Sequence, residues 1–409
     1  MKNASQGKDA VIVPRAGGVT LAKGFRASGT KAGIKITGKD DLALLASDRP
    51  CRAAGAFTTN AIRASSVDWC ERRLPQSAIR AVACNSGCAN ACTGVRGEKD
   101  TATFARLAAG ALSVPQESVL IASTGVIGKF LPMDKISAGL KKIAPLLSRS
   151  GGSLFAGAIM TTDLVKKEAT VTVRLSGGAV TIGGCCKGSG MIAPNMATML
   201  AFITTDADID EKLLNRIVKR CVDRTFNNLT VDGDTSTNDM TLVLANGASG
   251  VAVRTRADAL AFEQGLYAVS NDLCKKIAAD GEGATKRVEI RVSGGATETD
   301  AKRAAKAVAE SSLTKCALYG NDPNWGRIAC AVGYSGAPFS RETMTIRLCG
   351  VPVFRNLRPV PFDEKKLHRL LKEKVVTIAI DLGRGDKTAV AHTCDLSYEY
   401  VKINAEYHT

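Results

Sequence analysis

Apolar residues recur at helical spacing between Asp134 and Ser148, where Ile136, Leu140, Ile143 and Leu147 share one face. Asp134 suits the first turn of that helix. Leu213, Leu214, Ile217, Val218 and Cys221 form a second stripe, and Ala257–Ala279 and Thr299–Glu310 read as two more helices. Elsewhere the period drops to two. Thr170–Leu175 alternates like a half-buried strand, Ser176-Gly177-Gly178 turns the chain, and Ala179–Ile182 completes a predicted hairpin. Met344–Leu348 and Val351–Phe354 flank a Cys349-Gly350 turn as a second hairpin. Leu200–Thr204, Asp239–Ala245, Arg287–Val292, Val375–Asp381 and Thr388–Cys394 are further predicted strands. Helices mixed with antiparallel hairpins predict a layered α/β or α+β architecture, not a doubly wound parallel sheet. No internal repeat or low-complexity linker interrupts the pattern, and composition marks no domain boundary.

The chain has 409 residues, 45% hydrophobic and 23% charged, which fits a globular protein with a sizeable core and excludes disorder as the main state. No apolar run approaches the roughly 18 residues of a membrane span. The net charge of +16 favours anionic partners. The basic residues are scattered, however. The densest patch, Lys365 to Lys374, is interrupted by Glu364 and Glu373 and reads as a solvated helix face. No nucleic-acid-binding signature accompanies it, so neither a nucleic acid nor a membrane is expected as partner. Thirteen cysteines follow no disulfide framework. Cys84, Cys88 and Cys92, and the adjacent Cys185-Cys186, lack zinc-site spacing and read as small core or loop residues. Met1–Arg15 lacks the apolar core of a signal peptide, so a reducing cytosol is expected, with an organellar matrix left open.

Only three histidines occur, His368, His392 and His408. A His-rich metal site is therefore not expected, and a Ser-His-Asp triad has few candidate bases. A nucleophilic enzyme with this composition needs another base.

Several segments are dense in small and polar residues. Lys187-Gly-Ser-Gly-Met-Ile-Ala-Pro-Asn-Met-Ala-Thr-Met-Leu200 joins two predicted strands. It lacks the order of a P-loop and reads by itself as either a tight turn or a functional loop. Asn85–Asn90, Ser123-Thr-Gly-Val-Ile-Gly128, Thr161-Thr-Asp163, Thr230–Asp239, Gly281–Thr285, Asp322–Arg327 and Asn404–Thr409 have the same character. Asp232, Asp234 and Asp239 lack a complete EF-hand loop and read as turn carboxylates, so no metal is expected.

Taken in order and over essentially the full length, these segments resemble the ornithine acetyltransferase (ArgJ) family of arginine biosynthesis. KGSGMIAP-x-MATML carries the resemblance most specifically, supported by STGVIG, TVDGDTSTND, DPNWGR and the terminal NAEY-x-T. Cys88 departs from it, standing where the family's N-S-G-N-A-N stretch has Asn. The implied fold is an α-β-β-α sandwich of the type shared by ArgJ and DmpA proteins, self-processing and N-terminal-nucleophile-like. A smaller C-terminal α/β region is added to it.

The resemblance also implies a chemistry. The precursor is cut between Ala197 and Thr198 into an α chain, 1–197, and a β chain, 198–409, which form one intertwined unit and pair into an α2β2 heterotetramer. Thr198 is the nucleophile, and its freed α-amine, with a reference pKa of about 8, serves as the base that the histidine count left missing. The acetyl group of N-acetylornithine passes to Thr198 and then to glutamate. Thr124 and Gly125 line the oxyanion hole. Thr161 (with Thr162 beside it), Lys187, Thr198, Glu282, Asn404 and Thr409 bind the substrate. Lys187 suits a carboxylate and Glu282 an ammonium group. No cofactor is implied, and acetyl-CoA stays open as a second donor. The rival reading is a self-processing aminopeptidase or amidohydrolase of the same fold.

Overall fold

The computed structural model of the chain describes residues 11–193 and 199–406. Its larger sheet holds nine strands: β1 (Ile12–Arg15), β2 (Phe25–Thr30), β3 (Leu42–Phe57), β4 (Gln76–Cys88), β5 (Val119–Val126), β6 (Lys167–Leu175), β7 (Gly178–Lys187), β8 (Leu200–Thr205) and β9 (Met240–Ala245). They run in the order β1-β6-β7-β8-β9-β3-β4-β5, with β2 also paired to β3.

β3 turns this sheet into two layers. Leu42–Ala46 pairs with β4 and β2, whereas Arg52–Phe57 pairs with β9. The strand passes between layers at the exposed Asp48-Arg49-Pro50. Alternation of side chains along its first half splits the burial. Ala43 and Leu45 join an inner core with Leu200, Phe202, Leu242 and Leu244 of the opposite layer. Leu42 and Leu44 instead meet Phe104 and Leu140, on α2 (Gly94–Leu112) and α3 (Met133–Ile143), which follow α1 (Ser65–Glu71). α4 (Gly152–Ala158) contributes Phe155, which meets Phe202 edge to face at 5.2 Å. On the far side, α5 (Glu211–Arg224) and α6 (Arg256–Ala279) cover β6–β9 through Ile217, Val218, Phe262 and Val269. The result is the α-β-β-α sandwich expected from the resemblance.

The helices begin where the sequence supplies caps. Asp210 accepts the Leu213 N–H at α5, and Thr255 and Asp258 form a capping box at α6, a device of about 1 kcal/mol. The helix expected over Asp134–Ser148 is shorter. It stops at Ile143 and gives way to a 3-10 turn over Ala144–Leu146, because Pro145 has no N–H to continue the ladder.

A second, six-stranded sheet has its own core: β10 (Arg287–Gly295), β11 (Thr345–Leu348), β12 (Val351–Arg355), β13 (Arg358–Pro359), β14 (Val375–Asp381) and β15 (Lys387–Cys394), ordered β13-β12-β11-β14-β10-β15. It carries α7 (Glu298–Glu310), α8 (Ser312–Tyr319), α9 (Trp325–Tyr334) and α10 (Glu364–Leu371), and is followed by α11 (Tyr398–Glu406). This is the expected additional α/β region. The basic patch lies on α10, which buries Leu367 and Leu371 and leaves its charged face in solvent. No described helix is long and apolar enough to cross a membrane.

Candidate active site

Strand ends from both layers converge on one cavity of about 140 Å³. β5 delivers Thr124 and Gly125 at its C-terminal end. β7 ends at Lys187, which pairs with Leu200 at the start of β8, and Leu200 pairs in turn with Met240 at the start of β9. This register holds Lys187 and Leu200, the residues that bracket the segment 188–199, side by side. Its described flanks, Gly190–Ile192 and Met199, line the cavity.

Thr124, Gly125, Thr161, Lys187, Glu282 and Asn404 all line this cavity, as does Thr162. Thr124 is buried, and its hydroxyl lies 3.3 Å from the Lys187 ammonium. Gly125 has φ +126° and sits against β4, where a Cβ would come within 2.6 Å of the Cys88 nitrogen. Only glycine fits that close approach. Thr161 donates its N–H to Asp163 at 3.0 Å, and the Thr162 hydroxyl meets that of Ser189 at 2.7 Å. Glu282 donates its N–H to the Ser189 carbonyl and accepts from Asn404 Nδ2 at 2.9 Å. A Cβ at Gly190 would run into the Glu282 carboxylate. Ala197, Thr198 and Thr409 lie outside the described residues.

The cavity is acidic although the chain is basic. Among the described residues, Asp232, Asp234, Asp239 and Glu282 line it with the single cation Lys187. Burial pushes the Asp239 carboxyl well above the usual range, against the Lys187 charge and a hydrogen bond from Ser236. Asp232 takes the N–H groups of Met191, Ile192 and Asp234, so it is the turn carboxylate expected. Burial nevertheless raises its pKa. Burial and the Asp232 carboxylate both raise the Tyr400 hydroxyl, which faces the same space from α11. Tyr400 carried no signal in the sequence, because it lies on a helix without a buried face. Neither described histidine borders the cavity, and His392 instead reaches Asn271 at 2.8 Å from β15. Cys84, Cys88, Cys185 and Cys186 are buried and free as expected of core residues, whereas Cys92 is exposed.

A family model described as the ArgJ family matches residues 26–409. The arginine biosynthesis bifunctional protein ArgJ of Symbiobacterium thermophilum is 51% identical over 398 residues, covering 96% of this chain and 99% of its own. The protein of the same name from Thermosynechococcus vestitus is 47% identical, with 96% and 98% covered. Among solved structures, the crystal structure of arginine biosynthesis bifunctional protein argJ from Bacillus halodurans superposes with a TM-score of 0.50 at 44% identity. It covers 51% of this chain and 100% of its own.

Proposed function

The chain belongs to the ArgJ family, and on that premise we propose that it is a self-processing acetyltransferase of arginine biosynthesis. The acetyl group of N-acetylornithine moves to Thr198 and from there to glutamate. The observation that carries this reading is the cavity itself. It joins Thr124 and Gly125 to Lys187 and a set of carboxyl groups, and the strand beginning two residues after Thr198 opens into it. N-acetylornithine has one carboxylate, which suits Lys187, and one free side-chain ammonium, which suits the acidic wall.

In self-processing, the Thr198 hydroxyl attacks the Ala197 carbonyl carbon. The peptide C–N bond breaks, the α-amine of Thr198 is released, and the resulting ester is hydrolysed by water. The Bacillus halodurans relative supports this step. Its solved chain aligns from end to end with about half of this one, as a cleaved fragment would.

In the transfer, the α-amine takes the hydroxyl proton as Thr198 attacks the acetyl carbonyl. The tetrahedral oxyanion receives the Thr124 hydroxyl and the Gly125 N–H, and ornithine leaves with the proton. The amine of glutamate then attacks the acetyl-threonine ester and departs as N-acetylglutamate, restoring the hydroxyl. Losing one such oxyanion donor costs about 3–4 kcal/mol of barrier lowering. No cofactor enters either half-reaction. The relatives' name, bifunctional, extends the proposal to acetyl-CoA as an alternative donor, and the family resemblance extends it to an α2β2 assembly.

Incubation of the purified protein with N-acetylornithine and glutamate is expected to yield ornithine and N-acetylglutamate in equal amounts. Release of free acetate without N-acetylglutamate would replace the transferase by the amidohydrolase.

A further inference from the structure

Lys167 opens β6 and is fully buried, with its ammonium 2.6 Å from Asp163 Oδ1 and 2.5 Å from Asp280 Oδ2. Both carboxylates are also buried, and each holds backbone as well. Asp163 takes the Gly188 N–H at 2.7 Å on one oxygen and the Thr161 N–H at 3.0 Å on the other. Asp280 takes the N–H groups of Leu164 and Val165 at 3.1 and 3.4 Å. The Thr162–Ser189 hydroxyl contact and the bond from Glu282 N–H to the Ser189 carbonyl close the network. Three segments, 161–165, 187–190 and 280–283, are thereby tied to one ammonium. Each carries a residue of the cavity: Thr161, Lys187 and Glu282.

Stability alone does not account for this cluster. Two carboxylates and one ammonium leave a net negative charge in the interior, and an apolar group of the same shape is often as stable or more so. What an ion cluster supplies and an apolar one does not is directional bonding to particular backbone groups. Burial opposes the Asp163 charge, yet Lys167, Lys187 and the Gly188 N–H hold its pKa below the ordinary carboxylate value. Asp163 is thus electrostatically linked to the lysine that faces the cavity.

We propose that Asp163, Lys167 and Asp280 are positioning residues of the substrate site, fixing Thr161, Lys187 and Glu282 relative to one another so that both ends of an ornithine-type ligand are gripped together. This rests on the reading of the cavity as an amino-acid site.

The test is calorimetric titration of the purified protein with L-ornithine, alongside steady-state kinetics and thermal unfolding. Lys167→Met leaves Asp163 and Asp280 buried without their cation, so its Tm is expected to fall while the protein still folds at the assay temperature. It should raise the ornithine Kd and the KM for N-acetylornithine by about 10-fold or more, with kcat within about 3-fold. Ser189→Ala, which removes only the hydroxyl link between two segments, is expected to fold normally and raise both constants by about 3-fold or more. It carries the test if Lys167→Met does not fold. Wild-type Kd and KM in the folded variants would overturn the positioning role and leave a merely structural cluster. A wild-type protein that takes up no ornithine would instead overturn the reading of the cavity.

Discussion

Gly125 shows how one side chain's absence decides a site. Its φ of +126° and the 2.6 Å that would separate a Cβ from the Cys88 nitrogen leave no room for alanine. Gly125→Ala keeps the N–H but displaces the end of β5. We expect kcat to fall by about 100-fold and self-cleavage to slow with it, since both pass through an oxyanion. Glu282→Ala should act differently. On the proposed reading it removes a charged partner of the substrate, worth about 1.5–3 kcal/mol, so KM for N-acetylornithine should rise about 10- to 100-fold while processing proceeds normally. An unchanged KM would remove Glu282 from the site.

His392 belongs to stability instead. Burial, joined by Arg287, Lys275 and Arg291 and opposed by Glu289, pushes its pKa down to about 4. The unfolded chain binds that proton near pH 6.5, so the group costs stability as pH falls from about 6.5 to about 4 and no further below. In His392→Gln, the loss of Tm across that window should shrink. Parallel Tm–pH curves for the two proteins would contradict this.

At the scale of the element, Asp258 is the clearest single point of support. Its carboxylate accepts from the backbone and hydroxyl of Thr255 at the start of α6 and from those of Ser176 in the β6–β7 turn. Burial works against the charge, but these four bonds hold its pKa far below the usual value. The stabilisation is present above the unfolded pKa near 4 and is lost as pH falls through the lower folded value. Asp258→Ala should destabilise the protein at neutral pH by about 2 kcal/mol or more, seen as a lower Tm.

The elements legible in the sequence include those with a wet face, such as α5 with its stripe, the β11–β12 hairpin and β14, and also β8 and β9, which are buried throughout but read as short, nearly unbroken apolar runs. β3, β4 and β5 left no period of two, because Leu42–Ala46, Ala81–Cys84 and Val119–Ala122 are buried on both sides. α2 was equally silent, since much of its buried stripe is alanine. The loops lining the cavity were legible as motifs, but the cluster beneath them was not. Lys167 and Asp280 lie 113 positions apart, and no local spacing announces a pair joined only by the fold.

Over the whole molecule, the segment around residue 198 joins halves that share their secondary structure. β7 pairs with β8, and β3 with β9, across it. The core between α6 and the sheet draws Val173, Ile182, Ile203 and Phe262 from both sides. Cleavage there would fall between β7 and β8 and leave the described strand pairings intact. We therefore expect the two fragments to co-elute in native size-exclusion chromatography and to separate only in denaturant. Early separation would contradict the shared sheet.

The central claim joins cleavage to acyl transfer at one threonine, and intact mass spectrometry reads both. The purified protein should give two masses, those of 1–197 and 198–409, with the second fragment beginning Thr198-Met199-Leu200. N-acetylornithine should add one acetyl group to that second fragment, and glutamate should remove it. A single 409-residue mass in protein that still transfers acetyl groups, or an acetyl group carried on the first fragment, would contradict the account.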